Sequence, residues 1–143
     1  MTLLDANVLL YAYYPQSDHH ERSRSWLEET FSGPTPVRLA WWTIFAFLRI
    51  ITSPRIFQHP LRMTEASSIV SSWLALATVA LLEPGERYWE ILQAQLRAGQ
   101  VSGPLVMDAA LAALAIEHGA TLCTADRDFS RFPGLRTFNP LVD

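Results

Sequence analysis

Four aspartates stand where an α/β chain carries its chemistry. Asp5 closes the short apolar run Thr2-Leu3-Leu4-Asp5-Ala6, and Asp126 and Asp128 follow a second run, Thr121–Thr124. Asp108 lies near the start of the apolar stretch Val106–His118, where a carboxylate is favoured by the unpaired N–H groups of a helix N-terminus. In an open parallel sheet the functional crevice lies outside the C-terminal ends of the strands, so these acids are expected on one edge. Carboxylates gathered in one pocket repel each other unless a proton or a cation neutralises them. An all-oxygen donor set suits Mg²⁺ or Mn²⁺, and no Cys/His spacing here suits zinc. A cation so held activates a water and stabilises charge developing on a phosphate.

Each acid also has a plainer reading. Asp5 can cap the segment that begins Ala6-Asn7. Asp126 and Asp128 can form a turn and an N-cap for Phe129–Arg131. Asp108 can be only a helix-start acid. The joint arrangement on one predicted edge is what favours a metal pocket.

Composition bounds the partners. Among 143 residues there are 11 basic and 14 acidic side chains, a net charge of −3, and every basic residue is arginine. Without lysine there is no Schiff-base chemistry, no phosphate-loop lysine and no lysine of the kind that receiver domains and aspartate-nucleophile phosphatases use. Net acidity excludes binding of nucleic acid by bulk positive charge. A pocket metal reverses the sign locally, and the arginines remain to meet phosphate. Half the residues are hydrophobic and 17% are charged, which is enough for a core and too little charge for disorder. The single cysteine, Cys123, cannot form an internal disulfide. No signal-peptide pattern and no apolar run of spanning length appears, so the chain reads as soluble, cytoplasmic and one domain over residues 1–143.

The elements that would position the acids alternate. Strands are expected at Thr2–Asp5, Val37–Leu39, Val79–Leu82, Thr121–Thr124 and, as a last short one, Leu135–Phe138. A helix capped by Ser17 or Asp18 runs to about Phe31, and Trp41–Ile51 is apolar on most faces. Thr64 is the expected cap of a helix with Ile69, Val70, Trp73 and Leu74 on one stripe. Glu86–Ala98 presents Trp89, Leu92 and Leu96 on one side, and Val106–His118 is stopped by Gly119. The run Val8–Ala12 is apolar and carries no assignment. This alternation predicts an α/β fold, a three-layer αβα sandwich around a central, mainly parallel sheet.

Leu3-Leu4-Asp5-Ala6-Asn7-Val8-Leu9-Leu10-Tyr11-Ala12 resembles the opening signature of PIN domains. Val106-Met107-Asp108-Ala109-Ala110-Leu111 is similar to their third-acid helix, and Thr124-Ala125-Asp126-Arg127-Asp128-Phe129 to their closing segment. With Phe47-Leu48-Arg49 and Phe132-Pro133-Gly134-Leu135, the resemblance covers almost the whole chain. It is greatest to VapC-type toxins of type II toxin–antitoxin systems. The resemblance implies a Mg²⁺- or Mn²⁺-dependent endoribonuclease, a homodimer, and neutralisation by a small antitoxin protein. Single-stranded or looped RNA is the expected substrate, since loops expose bases and backbone.

On that reading Asp5 and Asp108 are the first metal ligands, then Asp126, then Asp128, with Asp5, Asp108 and Asp126 as the catalytic set. Asn7 and Thr124 would orient carboxylates or water, and Arg49 and Arg127 would approach substrate phosphate. Plainer roles stand beside these: a turn residue, a strand-end hydroxyl, a structural ion pair and a solvated arginine. One departure matters. PIN domains commonly carry an acid just before the Phe-Leu-Arg, and here that position is Ala46. Either the remaining acids still hold a metal, or the chain is a catalytically weakened PIN-like binding module. Asp18-His19-His20-Glu21 is not expected to bind metal, because adjacent histidines point to different sides of a helix start. Cys123 is expected as a buried small hydrophobe, and the tryptophans as core or dimer contacts.

Overall fold

The computed structural model describes residues 1–142. Five short parallel strands, β1 (Thr2–Leu4), β2 (Val37–Leu39), β3 (Val79–Leu81), β4 (Thr121–Cys123) and β5 (Arg136–Phe138), form one sheet in the order β3-β2-β1-β4-β5. The register pairs Leu3 with Leu122 and Leu4 with Cys123. Because side chains alternate across a strand, Leu3 and Leu122 face one layer while Leu4 and Cys123 face the other. At β1 and β4 both faces are buried, which is why these two strands read as continuous apolar runs rather than alternating ones.

Four helices cover the Leu4 face: α1 (Ala6–Tyr13), α2 (His20–Ser32), α3 (Trp41–Ile51) and α4 (Met63–Leu74). Phe47 and Trp73 pack edge to face at its centre, with ring centroids 4.7 Å apart. The Leu3 face is covered by α5 (Tyr88–Ala98), α6 (Leu105–His118) and the 3₁₀ turn Arg127–Arg131. Four alanines of α6, Ala109, Ala112, Ala113 and Ala115, are buried, and such small side chains let a helix lie close to a sheet. Gly119 ends α6 at φ 66°, the left-handed conformation that glycine adopts without steric cost. The arrangement is the expected three-layer αβα sandwich.

Several details depart from the sequence-based expectation. Val8–Ala12 belongs to α1, a helix the reading left unassigned. The α2 N-cap is His19, and neither Ser17 nor Asp18 caps it. Helix α4 begins at Met63, ahead of Thr64, and the Glu65 carboxylate accepts the Arg62 N–H at 3.1 Å. Leu74 is exposed although Val70 and Trp73 are buried, so the core stripe is narrower than expected. Trp89 is also outside the core, at 62% exposure. No helix among the described residues is long and apolar enough to cross a membrane.

Candidate acid site at the switch point of the sheet

Strand order reverses between β1 and β4, and the chain leaves their C-terminal ends in opposite directions. That divergence opens a crevice at the sheet edge. Asp5 follows β1 directly. Its N–H donates to the Cys123 carbonyl at 3.0 Å, which fixes the start of the crevice to the end of β4. Asp5 Oδ1 caps α1 by accepting the Ala6 N–H at 2.7 Å. Asp5 Oδ2 accepts the Thr124 hydroxyl at 2.8 Å and the Asn7 amide at 3.4 Å.

Asn7 and Thr124 knit the two strand ends together. Asn7 Nδ2 donates to Thr124 Oγ1 at 3.2 Å, and Asn7 Oδ1 accepts the Ala125 N–H at 3.2 Å. The Asp126 N–H donates to the same Thr124 oxygen at 3.0 Å. Thr124 is buried, so its hydroxyl is held by these partners rather than by solvent. Asp126 Oδ1 in turn accepts the Asp128 N–H at 2.8 Å and caps the 3₁₀ turn. The cap that the sequence reading offered for Asp128 therefore falls to Asp126, and the Asp128 carboxylate is exposed.

Asp108 reaches the same edge from the first turn of α6. Asp108, Asp126 and Asp128 each offer a carboxylate oxygen, all within 4.8 Å of one another. Two oxygens on opposite sides of a Mg²⁺ ion stand about 4.2 Å apart, so small side-chain rotations suffice for three ligands to meet one cation. The donor set is all oxygen and anionic, which fits a hard divalent ion. Asp5 is not in this trio. It lies beside it, sharing a cavity with Asp108. The sequence expectation puts Asp5 and Asp108 first and Asp128 last; the carboxylate oxygens that cluster are those of Asp108, Asp126 and Asp128.

The electrostatics match such crowding. Burial first, then the charges of Asp126, Asp5 and Asp128, push the Asp108 carboxyl up to about 6, with Arg131 pulling it back. Burial also raises Asp5; its hydrogen bonds from Thr124 and Ala6 oppose that rise, and the Asp126 charge adds to it. Arg131 is a residue the sequence reading missed. Its Nη1 donates to the Gly99 carbonyl at 3.0 Å, anchoring a cation near the acids. No local spacing announces it, because Gly99 and Asp108 belong to other elements.

Arg49 lines the Asp5–Asp108 cavity from α3, and Arg127 lines an adjoining cleft with Asp126. Both are exposed, and neither takes part in an ion pair among the described residues. The histidines do not join the acids: His20 Nδ1 meets the Tyr11 carbonyl at 3.0 Å, and His118 Nε2 meets the Glu83 carbonyl at 2.8 Å. Burial pushes the Cys123 thiol up to about 12, consistent with an inert core side chain.

The sequence profile of the PIN domain matches residues 2–135. The chain is 41% identical over 140 residues to Ribonuclease VapC37 of Mycobacterium tuberculosis, covering 98% of this chain and 97% of that protein. It is 36% identical over 141 residues to Ribonuclease VapC33 of the same organism, with 99% of each covered. Among solved structures it resembles VapBC2 from Rickettsia felis, bound to a promoter DNA fragment, with a TM-score of 0.68 at 18% identity over 96% of this chain and 97% of that one. It also resembles M. tuberculosis VapC20, a Sarcin-Ricin loop cleaving toxin, with a TM-score of 0.64 at 15% identity over 95% and 99%. These two likenesses show the fold.

Proposed function

The chain belongs to the PIN-domain family, and from that premise we propose that it is a metal-dependent endoribonuclease acting as the toxin of a toxin–antitoxin pair. Its relatives named as VapC ribonucleases are matched over nearly their whole length, which supports the nuclease. The single observation that carries the chemistry is the convergence of Asp108, Asp126 and Asp128. On this reading residues 1–143 form one PIN-like domain, working in the cytoplasm as a homodimer until a small antitoxin binds it.

Asp108, Asp126 and Asp128 would hold Mg²⁺ or Mn²⁺, with Asp5 at its edge. Bound there, the cation supplies an activated water and countercharge for the phosphate under attack. The chain's own groups do the rest. Thr124 and Asn7 fix the Asp5 carboxylate, which is thereby aimed toward the shared cavity and can hold a water. Asp126 keeps its Oδ1 on the Asp128 N–H, so the turn stays closed while the acids meet. Arg49 and Arg127 flank the acids and offer bidentate donors to neighbouring phosphates. Unpaired RNA is favoured because loops and ends present the backbone freely.

Ala46 supports a second reading, a PIN-like module with weakened or lost turnover, since no acid stands at that position on the cavity wall. One assay separates the two. Purified protein is incubated with single-stranded RNA and Mg²⁺ or Mn²⁺, beside Asp5→Asn and Asp108→Asn. Cleavage by the wild type that falls at least about 100-fold in Asp108→Asn supports the nuclease. Equal behaviour of all three proteins would overturn it.

A further inference from the structure

The acid trio divides two clefts of unlike chemistry. Asp126 lines a polar cleft of about 320 Å³ with Arg127, Ser130 and Asn139. Asp108 and Asp5 line a larger cavity of about 560 Å³, and its other walls are mainly apolar. Trp42 and Phe45 of α3 face this space together with Met107 and Leu111 of α6, and the small side chains of Ala6 and Ala46 leave it open. Phe45 is 60% exposed and Met107 52%, so the opening is reached from solvent. Trp41 stacks on Phe45 with centroids 6.1 Å apart and ring planes at 25°, holding the Phe45 ring in place.

We propose that this cavity is a base subsite, receiving the nucleobase of an unpaired nucleotide next to the phosphate held at the three aspartates. The proposal rests on the nuclease reading above and names where its substrate is gripped. The cavity is of the size that small-molecule and cofactor sites occupy. Aromatic and sulfur-bearing walls suit the flat face of any base, and stacking on such walls tolerates sequence variation. Arg49 on the same wall is placed to meet the phosphate on the far side of that nucleotide. A base in duplex is stacked on its neighbours and could not enter.

A protein occupant fits the same walls less well. Unless it brought a cation of its own, it would seal Asp5 and Asp108 away from water along with the apolar residues, and uncompensated carboxylates resist that. A nucleotide arrives with the phosphate and its counter-cation on the acid side and only its base in the apolar part.

The test compares a short single-stranded RNA, its cut bond mapped first, with the same RNA carrying an abasic ribose beside that bond. Wild type, Phe45→Ala and Ala46→Leu are assayed with Mn²⁺ on both. Phe45→Ala removes an exposed ring and spares the core, whereas Ala46→Leu fills the cavity. Each substitution is expected to raise KM for intact RNA about 10-fold, as does the abasic site on wild type. Neither substitution should add to the abasic penalty, because both remove the same contact. The same ordering is expected in fluorescence anisotropy of labelled RNA without added metal. Cleavage by wild type with KM indifferent to base and substitutions would overturn the subsite while the nuclease stands. Absence of any cleavage by wild type would remove the nuclease and the subsite with it. A change from dimer to monomer in sedimentation of Phe45→Ala or Ala46→Leu would make the cavity wall a contact between copies, and would also overturn the proposal.

Discussion

The Thr124 hydroxyl donates to Asp5 Oδ2 at 2.8 Å across 119 positions of sequence. The same oxygen accepts the Asp126 N–H, so one buried side chain fixes the geometry of two of the four acids. Thr124→Val keeps the shape and removes the hydroxyl, leaving Asp5 and the Asp126 N–H short of a partner. The expected cost is about 1–3 kcal/mol in urea unfolding, together with a loss of RNA cleavage. Thr124→Ser should recover most of both, which a purely steric role for the methyl group would not predict.

Asp108 makes the protein less stable at neutral pH. Its carboxyl sits at about 6 in the folded chain against an ordinary 3.8, so between these values the native state binds more protons than the unfolded one. Stability from this group is therefore present at low pH and declines as pH rises through that window. A fully sealed group would carry about 3 kcal/mol, and the solvent on the open side of the site reduces this to about 1. Metal-free Asp108→Asn is expected to be more stable than wild type by about that amount at pH 7, with the difference vanishing near pH 4. Chemical denaturation at both pH values checks it. Added Mn²⁺ should raise the melting temperature of wild type and leave that of Asp108→Asn nearly unmoved.

Asp126 and Asp128 differ in what they hold up. Asp126→Ala removes an N-cap as well as a ligand oxygen, and a cost of about 1 kcal/mol in stability is expected beside weaker metal binding. Asp128→Asn removes charge from an exposed side chain that caps nothing. It should weaken Mn²⁺ binding, read by calorimetry, with a melting temperature close to that of wild type.

Arg49 is exposed on the cavity wall with no carboxylate partner among the described residues. Arg49→Ala is expected to raise KM for single-stranded RNA about 5-fold at low salt, with a smaller ratio at high salt as screening takes over. Steady-state cleavage at two ionic strengths measures it. A salt-independent ratio would assign Arg49 to packing instead.

What was legible in the sequence follows from which signals are local. The strands at residues 2, 37, 79 and 121 are visible because each carries a short apolar run whose buried members include Leu3, Leu4, Val37, Leu39, Val79, Leu122 and Cys123. Helix α1 was not, because Val8–Ala12 is an apolar run of the same kind, and only the Asp5 cap distinguishes it. The four acids could be found because each terminates or begins an apolar segment. Which carboxylate spends its oxygens on capping could not, since that depends on partners in other elements. Asp5 spends both on Ala6, Thr124 and Asn7, whereas Asp128 spends neither on a described partner. The place of Trp89 outside the core also escaped, because amphipathic spacing gives a helix a face without saying how far the neighbouring layer extends.

Asp5 follows β1 and its partners Thr124 and Asp126 follow β4, 119 and 121 residues later, joined only when β4 pairs beside β1. A growing polypeptide therefore carries isolated aspartates and no pocket until β4 is made. The central strand must wait for a neighbour made more than a hundred residues later, and closing so long a loop is slow relative to local helix formation. The site is thus timed as well as shaped: it cannot assemble until β4 has been made and has paired beside β1.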